Sequence, residues 1–330
     1  MIETVTDINK NQWEELLANS PYASVFQSIS FFDFLNSLSF LKGFVFGVLE
    51  NEKLVGVVSG YIVKEGNELK GYFSRRAIIH GGLLLAPECS ELALETLLQF
   101  TISRLRKKVI YVEIRNYRDY SRYKDIFDKN GFSYFEHLNF HIQTPDKDTV
   151  FSQLNTTKRR DVRISIKNGA ELVDNPTIEQ IREYYSLLDD LYSTKIKLPL
   201  FPLEFFEKLY LTDFGKFFLL SYQEKIIGGS VCVELQNEVL YEMFVCGLDR
   251  EYKNIYASTL ATWFAIEYAS NNKIKHFDMM GAGKPDEGYG VREFKSKFGG
   301  EVVEYGRFKF IVNSILYNIG IIGVKFLRRK

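Results

Sequence analysis

Positively charged side chains are concentrated in one short segment, residues 155–169, which has the pattern of a helix. Asn155 is a favourable N-cap and Gly169 a favourable C-terminal stop. Three cations recur at three- and four-residue spacing and therefore share one face: Arg160, Arg163 and Lys167. The first turn, 158–160, reads Lys-Arg-Arg, where the helix dipole disfavours cations unless an anion is bound. The segment predicts an anion-binding site, with a solvated basic face as the alternative.

A second candidate site lies at 277–300, where a strand-like stretch runs into a glycine-rich loop and then a short helix. Loops that follow the C-terminal ends of strands are common ligand sites in α/β proteins. We expect Lys295, next to Phe294, to hold a reacting carbonyl or a phosphate, and Asp278 to be a candidate proton acceptor. Further candidate residues for the cleft and substrate are Tyr241, Glu242, Tyr289 and Arg292. The alternative is a flexible turn followed by a surface helix.

The elements that would position these residues occur twice in the chain. Residues 52–56, Glu-Lys-Leu-Val-Gly, are matched 172 positions later by Glu-Lys-Ile-Ile-Gly at 224–228. In each half, strand-like segments are followed by a helix and another strand, and the strand at 109–114 has its counterpart at 274–278. We therefore predict an α/β (α+β) protein with two duplicated domains. Their expected bounds are 1–146 and 147–310.

Residues 311–330 form a separate C-terminal tail in this interpretation. Isoleucines recur near helical spacing at positions 311, 315, 319 and 322, and four cations follow at 325, 328, 329 and 330. This amphipathic, basic pattern is compatible with a helix that lies on an anionic membrane surface. The alternative is a helix docked on the protein itself.

Composition excludes several classes of protein. The 330 residues contain 42 Lys plus Arg and 42 Asp plus Glu, so a protein that coats nucleic acid is not expected. The three Cys show no disulfide framework. Of the four His, only His137 and His141 have a ligand-like spacing, and they lie in a strand-like stretch where an i, i+4 pair shares no helical face. The N-terminus is not a signal peptide and no apolar run is long enough to span a membrane. We therefore expect a cytoplasmic protein without a metal.

These segments resemble the FemABX peptidyltransferases and their close relatives. The most specific parts are Gly-Tyr-Gly-Val-Arg-Glu-Phe-Lys-Ser-Lys-Phe-Gly-Gly-Glu at 288–301 and the basic helix at 159–169. Gln27-Ser28 followed by Phe31, and Tyr192 with Lys195 before Leu198-Pro199, fit the N-terminal and middle parts of the family. The resemblance implies tandem GNAT-like domains, each a mixed, largely antiparallel sheet flanked by helices.

The resemblance also implies an activity, the transfer of an aminoacyl group from aminoacyl-tRNA to an amine of a UDP- or lipid-linked peptidoglycan precursor. The family's Phe-Lys pair falls on Phe294 and Lys295, and its arginine that meets the precursor's diphosphate falls on Arg160. No cofactor is implied. With such a lipid-linked acceptor, the C-terminal tail would bring the protein to the cytoplasmic face of the inner membrane.

Two alternatives stay open at this point. The first is a CoA-dependent N-acyltransferase that acts on an amino sugar or nucleotide sugar. A typical GNAT holds the CoA pyrophosphate on a glycine-rich loop, but here Lys253 and Ile255 occupy the two glycine positions of 250–255, which disfavours the usual mode of CoA binding. The second alternative is a binding protein that keeps the scaffold without catalysis.

Overall fold

The computed structural model describes residues 1–63, 75–288 and 290–327, with side chains described through Ile321. The chain forms two compact units. The first comprises Met1–His137 and Glu304–Lys330, and the second comprises Leu138–Val303. Each unit contains one mixed sheet with helices packed on it, so the predicted α/β class with two similar domains is confirmed.

The sheet of the first unit has the order β1-β2-β3-β4-β6-β15-β7, and β5 pairs with β3. Its strands are β1 (Ile2–Val5), β2 (Leu41–Glu50), β3 (Lys53–Val63), β4 (Arg76–Gly81), β5 (Leu84–Leu85), β6 (Tyr111–Asn116), β7 (Ser133–Phe135) and β15 (Arg307–Ile311). Its helices are α1 (Lys10–Asn19), α2 (Ile29–Ser37), α3 (Glu91–Leu105), α4 (Lys124–Lys129) and α11 (Ser314–Leu327). β4 and β6 run parallel, whereas the pairs β1–β2, β2–β3, β3–β4, β3–β5, β6–β15 and β15–β7 run antiparallel.

The sheet of the second unit has the order β14-β8-β13-β12-β11-β10-β9. Its strands are β8 (Leu138–Gln143), β9 (Glu171–Leu172), β10 (Gly215–Tyr222), β11 (Lys225–Leu235), β12 (Val239–Gly247), β13 (His276–Gly281) and β14 (Glu301–Glu304). Its helices are α5 (Lys147–Gln153), α6 (Thr156–Lys167), α7 (Ile178–Leu191), α8 (Leu203–Tyr210), α9 (Ala257–Asn271) and α10 (Gly290–Ser296). The apolar helix α9 is buried along most of its length, and it forms the centre of this unit's core.

The two sheets share a distinctive hairpin. The turn between β2 and β3 uses left-handed residues at 51–52, and the turn between β10 and β11 does so at 223–224. Each hairpin also has a β-bulge just after its turn, which leaves Val55 in the first unit and Ile227 in the second outside the regular register. Val55 and Ile227 are separated by the same 172 positions as the sequence match. The duplication therefore extends to a local irregularity of the backbone.

The bounds of the two units differ from those expected, because two strands join sheets that chain order does not predict. β8 precedes the expected linker at 146/147 but lies in the second sheet between β13 and β14. β15 follows the second unit but lies in the first sheet between β6 and β7. The divisions therefore lie at 137/138 and 303/304. Periodicity shows that a segment is a strand, but not which sheet it completes.

The expected tail contains the end of β15 and then helix α11. Tyr317 packs edge-on against Tyr111 with ring centroids 5.3 Å apart, whereas Ile315 and Ile319 are exposed. The expectations for the side chains at 322, 325 and 328–330 lie outside the described residues. Across the described part of the chain, no helix combines the length and apolar character needed to cross a membrane.

Candidate functional site

The second sheet opens where β12 and β13 separate. These parallel strands are paired from Val239–His276 to Tyr241–Asp278, and β12 then continues to Gly247 beside β11 but without β13. A bulge at Met243 in β12 and a break in the β13–β8 register after Asp278 accompany the separation. In the first unit, the corresponding parallel strands β4 and β6 stay paired along their full length. Backbone groups of β12 beyond Tyr241 are therefore not used by β13 and can be offered to a ligand.

Lys295 of α10 lies against the end of β13. Its side chain is only 7% exposed, and its ammonium group donates to the carbonyl oxygen of Met279 and, at 2.8 Å, to that of Gly281. Burial lowers the pKa of Lys295 to about 8, although the nearby carboxylates of Glu242 and Asp278 act in the opposite direction. The structure thus keeps a buried cation at the point where the two strands separate.

Glu242 is the first residue of β12 beyond the paired segment. It is buried, and its Oε1 accepts hydrogen bonds from the hydroxyl groups of Ser230 and Thr262, both at 2.9 Å. Burial raises the pKa of Glu242, and the charge of Lys295 and the two hydroxyl groups oppose that shift. The two residues therefore stabilise each other's charged form inside the unit.

Asp278 is completely buried, and its carboxylate is surrounded by donors. It accepts from the backbone N–H of Met280 at 2.6 Å, lies 3.2 Å from Nε2 of His141, and is 3.5 Å from the amide nitrogen of Asn139. Met280 has a left-handed φ of 56°, so Asp278 supports an unusual backbone conformation that turns the strand end towards Lys295. These contacts favour a positioning role, and proton acceptance by Asp278 stays a prediction.

Lys158 also belongs to this region, although the sequence identified it only as one of the cations in the first turn of the helix. It is 6% exposed, its ammonium group donates to Oγ1 of Thr259 at 2.6 Å, and it lies 3.9 Å from the ring centroid of Phe294. Burial lowers its pKa to about 8. Helical spacing could have predicted its burial. Lys158 lies four residues before Val162 and seven before Ser165, so all three share the buried face of α6.

Helix α6 presents the three predicted anion-binding residues on its exposed face. Arg160, Arg163 and Lys167 are all solvent-exposed, as their spacing predicts. The guanidinium group of Arg163 lies 5.0 Å from the ring centroid of Phe151 and borders a surface cavity of about 460 Å³. Since α6 also carries Lys158, one helix links an exposed basic face to the residue beside Phe294.

Arg292 is engaged within its own loop rather than presented to solvent as a free guanidinium group. Its Nε donates to the carbonyl oxygen of Ala282 at 3.0 Å, and its terminal nitrogens donate to those of Pro285, at 2.9 Å, and Lys284. Arg292 therefore shapes the loop that precedes α10. Substrate binding by its side chain, as predicted from sequence, would require these bonds to be exchanged.

Tyr241 and Tyr289 were both predicted to contact the substrate, and only Tyr241 is among the described residues. Tyr241 is completely buried in β12, at its last pair with β13. Its side chain therefore belongs to the interior, and the backbone beyond it is the part that borders the opening. Tyr289 lies outside the described residues, and its predicted contact with substrate stays a prediction.

The N-terminus of α9, where a typical GNAT would hold a pyrophosphate, is occupied by protein groups. The carboxylate of Asp249 accepts from the backbone N–H of Ser258 at 2.8 Å, and the hydroxyl oxygen of Ser165 accepts from that of Tyr256 at 2.9 Å. Ile255 is buried beneath this turn. A carboxylate at a helix N-terminus uses the same favourable potential that an anionic ligand would use, so it competes with such a ligand.

The fold and this opening define a class, the tandem GNAT-like proteins. The structure is similar to that of FemX, with a TM-score of 0.72 at 12% identity, covering 96% of this chain and 99% of that one. It is similar to L-PGS from Bacillus licheniformis, with a TM-score of 0.58 at 12% identity over 98% and 97% of the two chains. It also resembles a tandem GNAT protein from the clavulanic acid biosynthesis pathway, with a TM-score of 0.55 at 10% identity over 95% and 99%.

The sequence gives a more specific result. The model of the FemAB family matches residues 210–321, which include β12, β13 and α10 with Lys295. The resemblance to this family, first drawn from the motifs at 159–169 and 288–301, is confirmed over that range. No match was found among curated proteins. The family match and the GNAT-like fold together support a transferase of the acyl-transferring class.

Proposed function

We propose that the protein transfers an aminoacyl group from aminoacyl-tRNA to an amine of a peptidoglycan or other cell-envelope precursor. The observation that carries this proposal is the buried Lys295, which lies at the separation of β12 and β13 within the range matched by the FemAB family. A fixed cation and strand amides that β13 leaves unused, both at one place, suit a reaction in which negative charge develops on a carbonyl oxygen.

The chemistry requires few groups from the protein. The acceptor's amine nitrogen attacks the carbonyl carbon of the donor ester, and a tetrahedral oxyanion forms. Collapse of this intermediate breaks the carbon–oxygen bond, the new amide remains, and the departing oxygen takes the proton that the amine loses. Lys295 is mainly protonated at neutral pH because its pKa of about 8 lies above 7, so it supplies positive charge next to the oxyanion. Amide groups of β12 beyond Tyr241 would supply further donors.

Charged tRNA is the donor that the structure favours over acyl-CoA. Asp249 and Ser165 already bind the N–H groups at the start of α9, and Lys253 and Ile255 replace the glycines of a usual pyrophosphate loop. An acyl-CoA molecule bound in the usual way would meet a carboxylate where its pyrophosphate should lie. A CoA-dependent N-acyltransferase therefore remains as the alternative that the assay below must exclude.

The acceptor would be held by the exposed basic face of α6. Arg160, Arg163 and Lys167 offer two guanidinium forks and an ammonium group to a diphosphate, which UDP-linked and lipid-linked precursors share. This arrangement supports the assignment of Arg160 to the diphosphate. If Arg160→Ala leaves the KM for the precursor unchanged, that assignment is wrong.

The decisive assay measures turnover with charged tRNA and with acyl-CoA, each with a UDP-linked muropeptide as acceptor. We expect turnover with charged tRNA alone, and a loss of at least about a hundredfold in kcat for Lys295→Met, the size of effect seen when one oxyanion donor is removed. Lys297→Met is the matched control, because Lys297 is exposed on the same segment.

Three results would contradict the proposal. Turnover with acyl-CoA but not charged tRNA would establish the CoA-dependent alternative. Full turnover in folded Lys295→Met would remove Lys295 from the mechanism. Binding of the precursor without turnover for any donor would establish a non-catalytic binding protein.

We further propose that α11 brings the protein to the cytoplasmic face of the membrane, where a lipid-linked acceptor would lie. Ile315 and Ile319 are exposed on one side of this helix, as an interfacial helix requires. Co-sedimentation with vesicles that contain phosphatidylglycerol should be lost in the double variant Ile315→Asp and Ile319→Asp. Unchanged co-sedimentation would show that α11 has no such role.

A further inference from the structure

A group of charged residues on the sheet of the first unit has no part in the proposed reaction. β6 and β15 are antiparallel neighbours in which Arg115 is paired with Arg307 and Glu113 with Lys309. Alternate residues of a strand share a face, so all four lie on the same side of the sheet. The opposite side carries core residues such as Phe308. We call these four residues the β6–β15 cluster.

The β6–β15 cluster has an excess of positive charge. Glu113 accepts from Nε of Arg115 at 2.8 Å and from a terminal nitrogen of Arg307 at 3.2 Å, and Nζ of Lys309 lies 3.3 Å from its other oxygen. Within the described part of the chain, no second carboxylate forms an ion pair with any of these three cations. Three positive charges therefore face one negative charge.

The two neighbouring histidine side chains do not compensate the excess positive charge. A terminal nitrogen of Arg307 lies 2.6 Å from Nε2 of His137, and since a guanidinium group can only donate, this imidazole nitrogen is the acceptor. His80 is buried, and burial, followed by the charges of Arg115 and Arg307, holds its pKa well below the usual value. Burial and the charge of Arg115 also lower the pKa of Arg307. Neither imidazole therefore offsets the excess positive charge of the cluster.

The guanidinium groups of the cluster are satisfied only in part by acceptors within the described residues. Nε of Arg307 is buried and, among the residues that the structure describes, no acceptor lies within hydrogen-bond distance of it. Arg115 uses only its Nε, for Glu113, within the same described set. The side chains of Arg115 and Arg307 are 30% and 28% exposed, so solvent and ligands reach them. By contrast, Lys309 is enclosed by the rings of Tyr111, Phe135 and Tyr317.

We propose that the β6–β15 cluster is a binding site for a phosphate group, with Arg115 and Arg307 as its guanidinium ligands and Lys309 as a fixed charge behind them. Two excess positive charges match a phosphate dianion, and paired guanidinium forks match its oxygens. Glu113 holds the arginines in place and competes with the ligand for their donors. This inference does not depend on the proposed transfer reaction, because every residue of the cluster belongs to the first unit.

The direct test is calorimetric titration of the full chain with inorganic phosphate and with pyrophosphate at low ionic strength. Binding should weaken at least about tenfold in Arg115→Gln and in Arg307→Gln, as expected when a charged hydrogen bond is lost. Lys129→Gln is the matched control, since Lys129 is an exposed cation of the same unit that pairs with Glu95. Its affinity for pyrophosphate should equal that of the unchanged protein.

Glu113→Gln gives a result that a purely structural cluster would not give. Removing the internal carboxylate frees the arginines, so pyrophosphate should bind several-fold more tightly than to the unchanged protein. If the variant is unstable, its melting temperature should rise with pyrophosphate by more than that of the unchanged protein. Equal or weaker binding by a folded Glu113→Gln protein would overturn the proposal.

The source of the phosphate is decided by a parallel experiment with vesicles. Binding of the unchanged protein and of the two arginine variants is measured with two kinds of vesicle. One consists of phosphatidylcholine alone, and the other is an equimolar mixture of phosphatidylcholine and phosphatidylglycerol. Mixed-vesicle binding that falls in both variants assigns the site to a lipid headgroup. Pyrophosphate binding that depends on the arginines, with unaffected vesicle binding, assigns it to a soluble phosphorylated ligand. Anion binding that is independent of both arginines in both experiments refutes the site.

Discussion

Lys158 and Lys295 are buried in the second unit, and each has a pKa of about 8 because burial penalises its charge. Lys295 is held by backbone carbonyls and faces Glu242, whereas Lys158 is held by a hydroxyl group and by the face of the Phe294 ring. Phe294 and Lys295 are adjacent in the chain, so Lys158 fixes the side chain next to the proposed catalytic lysine. We interpret Lys158 as a positioning residue.

The titration of Lys158 predicts how stability depends on pH. The unfolded lysine, with a pKa of 10.5, binds a proton between pH 8 and 10.5, whereas the folded one does not, so raising the pH stabilises the folded state. Relative to Lys158→Met, the unchanged protein should gain on the order of 3 kcal/mol in free energy of unfolding over this range. Urea denaturation at several pH values measures the difference.

The control for this experiment is Lys167→Met, which removes an exposed lysine from the same helix. Its stability should follow that of the unchanged protein at every pH. A constant difference between Lys158→Met and the unchanged protein from pH 8 to 10.5 would show that Lys158 titrates normally. The loss caused by Lys158→Met would then reflect packing alone.

At the scale of elements, the start of α9 decides which donor the second unit can accept. There, Asp249 from the preceding loop accepts from the N–H of Ser258, and Ser165 from α6 accepts from the N–H of Tyr256. A typical CoA site leaves such groups free for a pyrophosphate. The absence of glycines in 250–255 already indicated that a pyrophosphate would not bind here in the usual way. The sequence did not identify Asp249 as the group that takes its place, because Asp249 lies just before the expected motif.

Asp249→Ala tests the importance of this cap. The substitution should lower the free energy of unfolding by about 0.5–2 kcal/mol, the usual cost of losing a side-chain cap. Glu251→Ala removes an equal charge from an exposed position of the same loop and should have little effect. Thermal or urea unfolding of the three proteins makes the comparison. Equal stabilities would show that the Asp249 bond to Ser258 contributes nothing in solution.

At the scale of the whole molecule, β8 and β15 each complete the sheet to which their position in the chain would not assign them. β8 joins the second sheet, and β15 joins the first. β8 contributes Phe140 and Ile142 to the second core, and it carries the Asn139 and His141 side chains that surround Asp278. β15 contributes Phe308, which stacks on Phe127 in the first unit with centroids 3.9 Å apart. Neither unit is therefore complete at the bounds that chain order predicts.

Two fragments of similar length test this organisation. Residues 138–303 contain every strand of the second sheet except the last residue of β14, and they should unfold cooperatively as an isolated domain. Residues 147–310 lack β8, so β14 loses its neighbour and Asp278 loses two of its partners. That fragment should be unfolded or aggregated. Circular dichroism during urea denaturation distinguishes the outcomes, and cooperative unfolding of 147–310 would show that β8 is dispensable.

Much of the fold could be predicted from the sequence because its signals are local. The hairpin match at 52–56 and 224–228, the helical pattern at 155–169 and the glycine-rich stretch after 278 all correspond to observed elements. Lys295 was singled out by its place after that loop, and the structure places it at the separation of the strands. Arg160, Arg163 and Lys167 share an exposed face because helical spacing alone determines it.

The remaining features depend on contacts between residues distant in the chain. The burial of Lys158 depends on Thr259 and Phe294, more than a hundred positions away, and the β6–β15 cluster on strands separated by almost two hundred. The sequence by itself determined which segments are helices and strands and that the unit is repeated, because these follow from short-range periodicity. Only the tertiary structure decided which sheet β8 and β15 join and which charges are buried, because pairing and desolvation depend on the final arrangement of the whole chain.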